Sequence, residues 1–197
     1  PELAYFRNDG GRFAERTRAA GLVFAAGGIG LQTADYDNDG DADLYVTRDG
    51  WFGGGDNVLF QNDGSGVFAD VTATSGAGDP GSGFCAAWSD YDRDGWLDVY
   101  VANGTGATGD STNALLRSGG DGTFANVAVA AGVAHKGQTL SAAWGDFDGD
   151  SWPDLYACNF TEPNTLYRNQ GDGAFADVTV AAGVAAAHID GFITFVL

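Results

Sequence analysis

The chain has 197 residues, and its nine basic residues against 27 acidic ones give a formal net charge of -18. This charge argues against nucleic acid and anionic membranes as partners, because phosphate contacts need lysine and arginine. Of the acidic residues 24 are aspartate and three are glutamate, and the chain also has 32 glycines. Aspartate and glycine favour turns over helix interiors, so the composition predicts short strands joined by tight turns rather than a helical protein.

Neither end of the chain is predicted to insert into a membrane. The longest apolar stretch near a terminus, residues 192–197, is far too short to span a bilayer. The sequence also has no methionine and no signal-peptide pattern, so we expect the chain to be a processed or excised product.

An acidic segment occurs three times along the chain. It reads Asp-Tyr-Asp-Asn-Asp-Gly from residue 35, Asp-Tyr-Asp-Arg-Asp-Gly from residue 90 and Asp-Phe-Asp-Gly-Asp-Ser from residue 146, which gives periods of 55 and 56. Each copy is followed by a second block with Asn-x-Leu, a glycine-rich turn, Phe and then Val. These blocks lie at residues 57–72, 113–128 and 164–179, and a partial copy at residues 3–17 opens the chain.

One period is predicted to form four short strands, A to D in chain order. Strand A precedes the acidic segment, strand B follows it, and a hairpin containing glycine joins strand C to strand D. The predicted strands are A at 84–88 and 139–144, B at 44–47, 99–102 and 155–158, C at 58–61, 114–117 and 165–168, and D around 175–178. Four-stranded units at this period predict an all-β chain of antiparallel β-propeller blades, because a β-helix has shorter coils and a sandwich has no reason to repeat.

The whole chain, residues 1–197, is predicted to be a single propeller or a segment of one, with about 3.7 repeats. The predicted units are a partial blade of strands C and D at 1–17, blades at 18–72, 73–128 and 129–179, and the start of a further blade at 180–197, with 15 strands in all. Residues 191–197 are apolar and β-prone, and such a segment alone at a sheet edge promotes association. We therefore expect either a longer propeller or self-association through this segment in an oligomer or filament.

The repeated blocks also resemble a known family. The acidic segment extends to Asp-x-Asp-x-Asp-Gly-x-x-Asp-Leu-Tyr-Val, and the second block reads Asn-x-Leu-Tyr-Arg-Asn-x-Gly-Asp-Gly-x-Phe-x-Asp-Val-Thr. Both resemble the FG-GAP/VCBS repeat, which forms the blades of integrin-α-like propellers. The Ala-Gly-Val connectors and the Ala-Ala-Trp before the acidic segment are most similar to ASPIC/UnbV-type and cartilage-acidic-protein-like secreted proteins. The resemblance covers nearly the whole chain and implies an extracellular calcium-binding propeller for adhesion or recognition, without naming a ligand.

The acidic segments are predicted to bind metal ions, with the ligands on the turns between strands A and B. Carboxylates at positions 1, 3, 5 and 9 of a tight loop converge when the backbone curls around one point, and position 7 adds a carbonyl. All-oxygen ligands on a flexible loop favour Ca²⁺ over Mg²⁺, so we expect about three calcium ions per chain. The predicted carboxylate ligands are Asp35, Asp37, Asp39 and Asp43 in acidic loop one, Asp90, Asp92, Asp94 and Asp98 in loop two, and Asp146, Asp148, Asp150 and Asp154 in loop three, and the predicted carbonyl donors are Asp41, Trp96 and Trp152.

A simpler interpretation is that the loops are solvated acidic turns. Against it, four close carboxylates repel one another unless a cation lies among them, and the pattern recurs three times in one register. Loop three departs from the pattern, because Ser151 stands where the other loops carry Gly40 and Gly95. That position is expected to need a positive φ, which costs a non-glycine residue about 1 kcal/mol, so we expect weaker binding at loop three.

Aromatic residues are expected in two roles. Trp88, Trp144 and Phe195 each lie two residues before an acidic loop, or before the place where a fourth would begin, and are expected to pack between blades. Trp51 and Phe52 lie in a loop too rich in glycine to bury them easily, so they are candidate contacts for a protein or glycan ligand.

Few other residues are expected to carry chemistry. His135 and His188 lie in connectors with no catalytic motif beside them, and the unlike repeat positions of Cys85 and Cys158 favour unbridged thiols. The segments Asn103-Gly-Thr and Asn159-Phe-Thr match the N-glycosylation sequon but fit strand-to-loop turns as well.

These features predict a non-enzymatic, calcium-binding propeller module for adhesion, recognition or assembly, placed outside the cell or at its surface, with a periplasmic location also open. Because strands alternate in direction, a protein or glycan ligand is expected at the end of the blades formed by the B–C and D–A connectors. One alternative is a carbohydrate-active lectin or lyase-like propeller, although a lyase needs basic groups and the single lysine is Lys136. A second alternative is a structural subunit of a self-assembling filament or tube.

Overall fold

The structure is a computed structural model, and it describes residues 4–23, 28–49, 55–104, 112–160 and 162–185. These residues form 14 strands and two helices of four residues each. The strands are β1 (Phe6–Asn8), β2 (Phe13–Glu15), β3 (Gly28–Ala34), β4 (Asp43–Arg48), β5 (Val58–Asn62), β6 (Phe68–Asp70), β7 (Ser82–Ser89), β8 (Asp98–Gly104), β9 (Ala114–Ser118), β10 (Phe124–Asn126), β11 (Thr139–Gly145), β12 (Asp154–Asn159), β13 (Thr165–Asn169) and β14 (Phe175–Asp177). The helices are α1 (Thr72–Ser75) and α2 (Ala128–Ala131).

The sheets follow the sequence repeat. Strands β3 to β6, β7 to β10 and β11 to β14 form three four-stranded antiparallel sheets in which consecutive strands are neighbours, and β1 pairs with β2 in a two-stranded sheet. We call the four-stranded sheets blades 1, 2 and 3 and the two-stranded sheet the N-terminal hairpin. The all-β prediction and the four-strand unit are therefore confirmed, and the sheets are consistent with propeller blades.

The predicted strands lie where the structure has them, with ends that differ by one to two residues. Most of these ends extend beyond the prediction, whereas β14 ends at Asp177, one residue before the predicted end. The largest extensions are two residues, at the start of β7 (Ser82 rather than Phe84) and at the end of β8 (Gly104 rather than Ala102). Each B strand begins one residue early, at the ninth residue of its acidic loop, because Asp43, Asp98 and Asp154 pair with the last residue of the preceding strand. The fifteenth predicted strand falls in residues 191–197, which lie outside the described residues.

The core lies between the blades. One buried cluster joins Tyr45 and Leu59 of blade 1 to Val99 and Val101 of blade 2. A second joins blade 2 to blade 3, and a third joins the segment after the N-terminal hairpin to blade 1. In β8 four consecutive apolar residues enter two different clusters, Val99 and Val101 on one face of the blade and Tyr100 and Ala102 on the other.

The connectors between blades contain short helical turns that the sequence analysis did not predict. Helices α1 and α2 are closed by Gly76 and Gly132, which have φ of 70° and 80°. Glycine adopts this left-handed conformation without the steric cost of a side chain, so the turn can end there and the chain can enter the next blade. Within the described ranges, neither helix is long and apolar enough to cross a membrane.

Candidate metal centres

Each acidic loop is the turn between the first two strands of a blade, and its first aspartate closes the turn. In loop one, Asp35 Oδ2 accepts a hydrogen bond from the Gly40 amide at 3.0 Å. The equivalent bonds run from the Gly95 amide to Asp90 Oδ2 at 3.1 Å and from the Ser151 amide to Asp146 Oδ2 at 2.9 Å. The first carboxylate therefore accepts from the amide of position 6 in all three loops, which curls the backbone as predicted.

Positions 4 and 6 of the loops have left-handed backbone. In loops one and two position 4 is Asn38 or Arg93, with φ of 57° and 60°, and position 6 is glycine. In loop three the glycine is at position 4 and Ser151 takes position 6 with φ of 76°. The predicted positive φ at Ser151 is thus confirmed.

The curled turns bring three carboxylates together in every loop. Oxygen atoms of the three side chains lie within 4.8 Å of one another. The trios are Asp35, Asp37 and Asp39 in loop one, Asp90, Asp92 and Asp94 in loop two, and Asp146, Asp148 and Asp154 in loop three. In loop three Asp150 is not part of the trio, and its Oδ1 accepts from the Trp152 amide at 2.9 Å. Three of the four carboxylates predicted for each loop therefore converge, and the trios do not include Asp43, Asp98 and Asp150.

The ninth aspartate of each loop has a structural role that the sequence analysis did not identify. Asp98 is buried, its Oδ2 accepts from the Tyr91 amide at 3.2 Å, and its Oδ1 accepts from the Ser118 amide at 2.8 Å. Asp43 and Asp154 make the equivalent pairs of bonds. This aspartate ties the acidic loop to the end of the third strand of its blade.

Burial also shifts the ionisation of these ninth aspartates. Loss of hydration raises the pKa of Asp43 to about 6 and the pKa of Asp98 to about 7, and it raises the pKa of Asp154 as well. The two backbone N–H donors on each carboxylate act in the opposite direction but do not cancel the effect of burial. These positions therefore hold a carboxylate in a place where its charge is costly unless a cation is near.

Two carboxylate oxygens of the trios are buried without a hydrogen-bond partner. They are Oδ1 of Asp37 in loop one and Oδ1 of Asp90 in loop two. Burial of an ionised oxygen without a hydrogen-bond donor costs roughly several kcal/mol unless an opposite charge lies next to it. The donor set is entirely oxygen, so the residues of these loops fit a hard divalent cation such as Ca²⁺.

The third strand of each blade supplies a side chain to the acidic loop, and the sequence analysis missed it. Gln61 Nε2 donates to Asp37 Oδ2 at 2.6 Å in blade 1. In blade 2 the guanidinium of Arg117 takes this place and contacts both Asp92 and Asp94, and in blade 3 Arg168 Nη1 lies 3.9 Å from Asp148 Oδ2. The signal available in the sequence was the repeat, since each of these residues lies four positions after the asparagine that opens the second block.

The seventh loop residue covers the hairpin between the third and fourth strands. A Cβ atom on Gly120 would touch the ring of Trp96, and one on Gly171 would touch the ring of Trp152. Asp41 faces Gly64 in the same way. The acidic loops and these hairpins therefore lie at the same end of the blades, as the strand alternation predicts. That the carbonyls of Asp41, Trp96 and Trp152 bind a cation stays a prediction.

Neighbouring acidic loops contact each other. Asn38 Nδ2 of loop one donates to the Gly95 carbonyl of loop two at 3.0 Å. The guanidinium of Arg93 in loop two lies over the Trp152 ring of loop three, 5.4 Å from its centroid. Position 4 of one loop thus reaches the next loop, and the three loops form one continuous acidic edge.

The predicted inter-blade role of two tryptophans is confirmed. The Trp88 ring meets Tyr45 of blade 1 at 5.8 Å between centroids. Trp144 of blade 3 stacks on Tyr91 of loop two at 6.2 Å, and its Nε1 donates to the Ala87 carbonyl at 3.0 Å. Phe195, predicted for the same role, lies outside the described residues.

The opposite end of the blades is described only in part. Trp51, Phe52 and His188 lie outside the described residues. Asn103 is fully buried and its Nδ2 donates to Asp79 Oδ2 at 2.8 Å, so this sequon asparagine serves the fold. His135 Nε2 lies 3.0 Å from Glu162 Oε2.

The two cysteines are present as thiols, as their unlike repeat positions predicted. Both are half-buried, in strands β7 and β12. Burial, with a smaller contribution from the nearby Cys85, raises the pKa of Cys158. A raised pKa keeps the Cys158 thiol protonated and therefore weakly nucleophilic.

The chain is similar in sequence to two curated proteins and in structure to one solved lectin. A segment of 87 residues is 32% identical to cartilage acidic protein 1 of Xenopus tropicalis, and one of 88 residues is 32% identical to the human protein. Each segment covers 44% of this chain and 13% of the relative. A solved Agrocybe aegerita lectin that recognises non-reducing terminal N-acetylglucosamine is 22% identical, with a TM-score of 0.43 over 75% of this chain and 36% of the lectin.

The repeat itself has a family match. The model of the FG-GAP-like repeat matches residues 50–101, 90–157 and 146–195, which together reach from the second half of blade 1 almost to the end of the chain. Loops two and three lie inside these matches, and loop one, which has the same residue pattern, precedes them. With three matches that cover most of its length, the chain belongs to the FG-GAP-like repeat family.

Proposed function

We propose that this chain is an extracellular, calcium-binding β-propeller module that serves adhesion, recognition or assembly and has no catalytic activity of its own. In this proposal each acidic loop binds one calcium ion. The ions hold the acidic edge together, and a protein or glycan partner binds at the other end of the blades.

The observation that carries the proposal is the state of the carboxylates in loops one and two. Each trio places three oxygens within 4.8 Å, and in each trio one buried oxygen has no donor. Like charges at this separation repel one another, and a divalent cation converts that repulsion into attraction. A cation bound nearby would also lower the raised pKa values of Asp43 and Asp98, because it favours the ionised form of a carboxyl group.

The expected strength of binding supports a location outside the cell. Short acidic loops in extracellular modules bind calcium with a Kd of about 10⁻⁴ to 10⁻³ M. Sites of that strength fill only where calcium is millimolar, as it is outside cells. A cytosolic chain with these loops would leave them empty.

The proposed ligand surface is the end of the blades opposite the acidic loops. It comprises the connectors between the second and third strands, which include Trp51 and Phe52, and the connectors that carry α1 and α2. The described part of this surface is built by hydrogen bonds between repeated asparagines: Asn113 Oδ1 accepts from the Asn103 amide at 2.8 Å, and Asn164 Oδ1 accepts from the Asn159 amide at 2.9 Å. These bonds fix the point at which each connector leaves its strands. Connectors that differ in sequence between the repeats therefore start from the same backbone arrangement.

Thermal unfolding with and without EDTA tests the calcium assignment. At about tenfold excess of calcium over Kd each site adds roughly 1.4 kcal/mol, so three sites add about 4 kcal/mol. For a chain of this size that corresponds to a rise in Tm of roughly 10 °C. We expect Asp37→Asn to lose at least a third of this rise, because loop one is the strongest of the three proposed sites.

The matched control is Asp70→Asn, which removes the same charge from an exposed position outside the acidic loops. This variant should keep the full response to calcium. A wild-type melting curve that is the same in calcium and in EDTA would refute the calcium assignment.

A further inference from the structure

The three acidic loops do not all face the same type of side chain from the third strand. Gln61, Arg117 and Arg168 are the fourth residues of β5, β9 and β13, and each pairs across the hairpin with an alanine. The backbone therefore presents the same position to each loop, and only the side chain changes. Blade 1 offers a neutral amide, and blades 2 and 3 offer a guanidinium.

Of the two arginines, Arg117 lies closer to the carboxylates of its loop. Its Nε contacts Asp92 Oδ2, and its Nη2 lies 3.0 Å from Asp94 Oδ2. One guanidinium thus spans two of the three carboxylates that converge in loop two. Within the Arg117–Asp92 pair, the aspartate is the more buried residue, with 14% of its side chain exposed against 44% for the arginine. Arg168 has a single long contact of 3.9 Å to Asp148, so loop three has a looser version of the same arrangement.

We propose that Arg117 is a tethered cation that competes with the divalent cation for the carboxylates of loop two, so that loop two binds calcium more weakly than loop one. The inference rests on the proposed calcium function and concerns how that function differs between blades. A guanidinium beside Asp92 and Asp94 already neutralises part of the charge that would attract a dication. It must either leave these carboxylates or remain as a like charge next to the bound ion, and both reduce affinity.

When no metal ion is bound, the contact of Arg117 with Asp92 and Asp94 stabilises loop two. In loop two the guanidinium relieves the repulsion between Asp92 and Asp94, so the loop keeps its shape when calcium is removed. In loop one the equivalent strand position carries no charge, because Gln61 supplies only a hydrogen bond to Asp37. Loop one is therefore the calcium-dependent end of the acidic edge, and loop two is partly independent of calcium.

A calcium titration followed by amide NMR tests the proposal site by site. The amides of Gly40 and Gly95 each donate to the first aspartate of their own loop, so their resonances report loops one and two separately. Arg117→Gln makes loop two resemble loop one, and we expect it to tighten binding at Gly95 by about tenfold in low salt, as two like charges a few ångströms apart in water imply. Gln61→Arg should weaken binding at Gly40 by a similar factor. Raising the salt should shrink both effects, because exposed charges are screened.

Two further variants separate charge from other causes. Arg117→Lys keeps the charge and loses the planar fork, so it should bind calcium at Gly95 about as weakly as the wild type. Arg12→Gln removes one positive charge from the N-terminal hairpin and should change neither site. Unchanged affinities in Arg117→Gln and Gln61→Arg, or a lysine variant that binds as tightly as the glutamine variant, would overturn the proposal while calcium binding stands. If neither glycine responds to calcium in the wild type, the proposed function itself fails.

Discussion

At the scale of single residues, the backbone of the acidic loops is built on left-handed positions. Ser151 has φ of 76°, a conformation that costs an L-residue roughly 1–2 kcal/mol because its Cβ approaches the carbonyl oxygen. Loops one and two place Gly40 and Gly95 there and carry the side chain at position 4 instead, as Asn38 or Arg93. Asparagine tolerates this conformation better than most residues, so loop one is the least strained of the three.

Exchange of the residues at position 6 measures this strain. A Cβ atom on Gly40 would meet nothing within 4 Å, so Gly40→Ser changes only the backbone preference. We expect it to lower the free energy of unfolding by about 1 kcal/mol. Ser151→Gly should raise it by somewhat less, because glycine also gains freedom in the unfolded chain. Urea unfolding in EDTA checks both, since it excludes any change in metal affinity. Equal stability of Gly40→Ser and the wild type would contradict the strain.

The residue scale also shows what the sequence could and could not predict about the site. The convergence of Asp35, Asp37 and Asp39 follows from their spacing in a tight turn, so it was predictable locally. The anchoring role of Asp98 was not, because its partner Ser118 is 20 residues away and the contact depends on the register between β8 and β9. The contact of Arg117 with the acidic loop could not be predicted for the same reason, because a strand residue reaches the loop only after the blade has formed.

At the scale of the elements, the first strands of blades 2 and 3 carry a tryptophan that contacts the preceding blade. Trp144 on β11 stacks on Tyr91, meets Tyr100 edge-on at 6.3 Å, and packs on Phe175 of its own blade at 6.0 Å. Its Nε1–H is satisfied by the Ala87 carbonyl of β7. One side chain therefore links the first strands of two blades through both ring contacts and a hydrogen bond.

Truncation of Trp144 should separate these contributions. Trp144→Ala removes the ring contacts and leaves the Ala87 carbonyl without this donor, and we expect a loss of about 3 kcal/mol in the free energy of unfolding. Trp144→Phe keeps an aromatic ring and should lose about 1 kcal/mol, mainly the hydrogen bond. Phe147→Ala is the control, because 47% of Phe147 is exposed. Denaturant unfolding followed by circular dichroism gives the three values. Alanine and phenylalanine variants of equal stability would show that the ring contacts contribute little.

Strand β3 and the two short helices, which the sequence analysis left without bounds or missed, have a common cause. It gave no bounds for the first strand of blade 1, β3, which contains Gly28 and Gly30, and glycine is unfavourable in strands. Gly30 is required there because a Cβ atom would collide with the Thr47 side chain and the Phe84 carbonyl of the next blade. Helices α1 and α2 are single turns in short connectors, which packing rather than helix propensity stabilises. Both features depend on tertiary contacts that no local pattern displays.

At the scale of the whole molecule, each buried cluster among the described residues is shared between two neighbouring units. On β8, Val99 and Val101 enter the cluster shared with blade 1, and Tyr100 and Ala102 enter the cluster shared with blade 3. The alternation of side chains along one strand thus divides its apolar surface between two interfaces. Blade 2 removed from its neighbours would expose both faces of a sheet that is buried on both sides in the chain.

This arrangement predicts how the chain unfolds. A fragment of residues 73–128, which contains blade 2 alone, should be unfolded, because a repeat that contacts only its neighbours gains most of its stability from those interfaces. The full chain should instead unfold in one cooperative transition, since loss of any blade exposes an interface on the next. Proton NMR dispersion and near-ultraviolet circular dichroism of the fragment and the full chain, recorded in the same calcium buffer, make the comparison. A fragment with dispersed resonances and a cooperative melt would show that blade 2 is stabilised within its own sheet, which the positions of Val99, Tyr100 and Val101 on the two faces argue against.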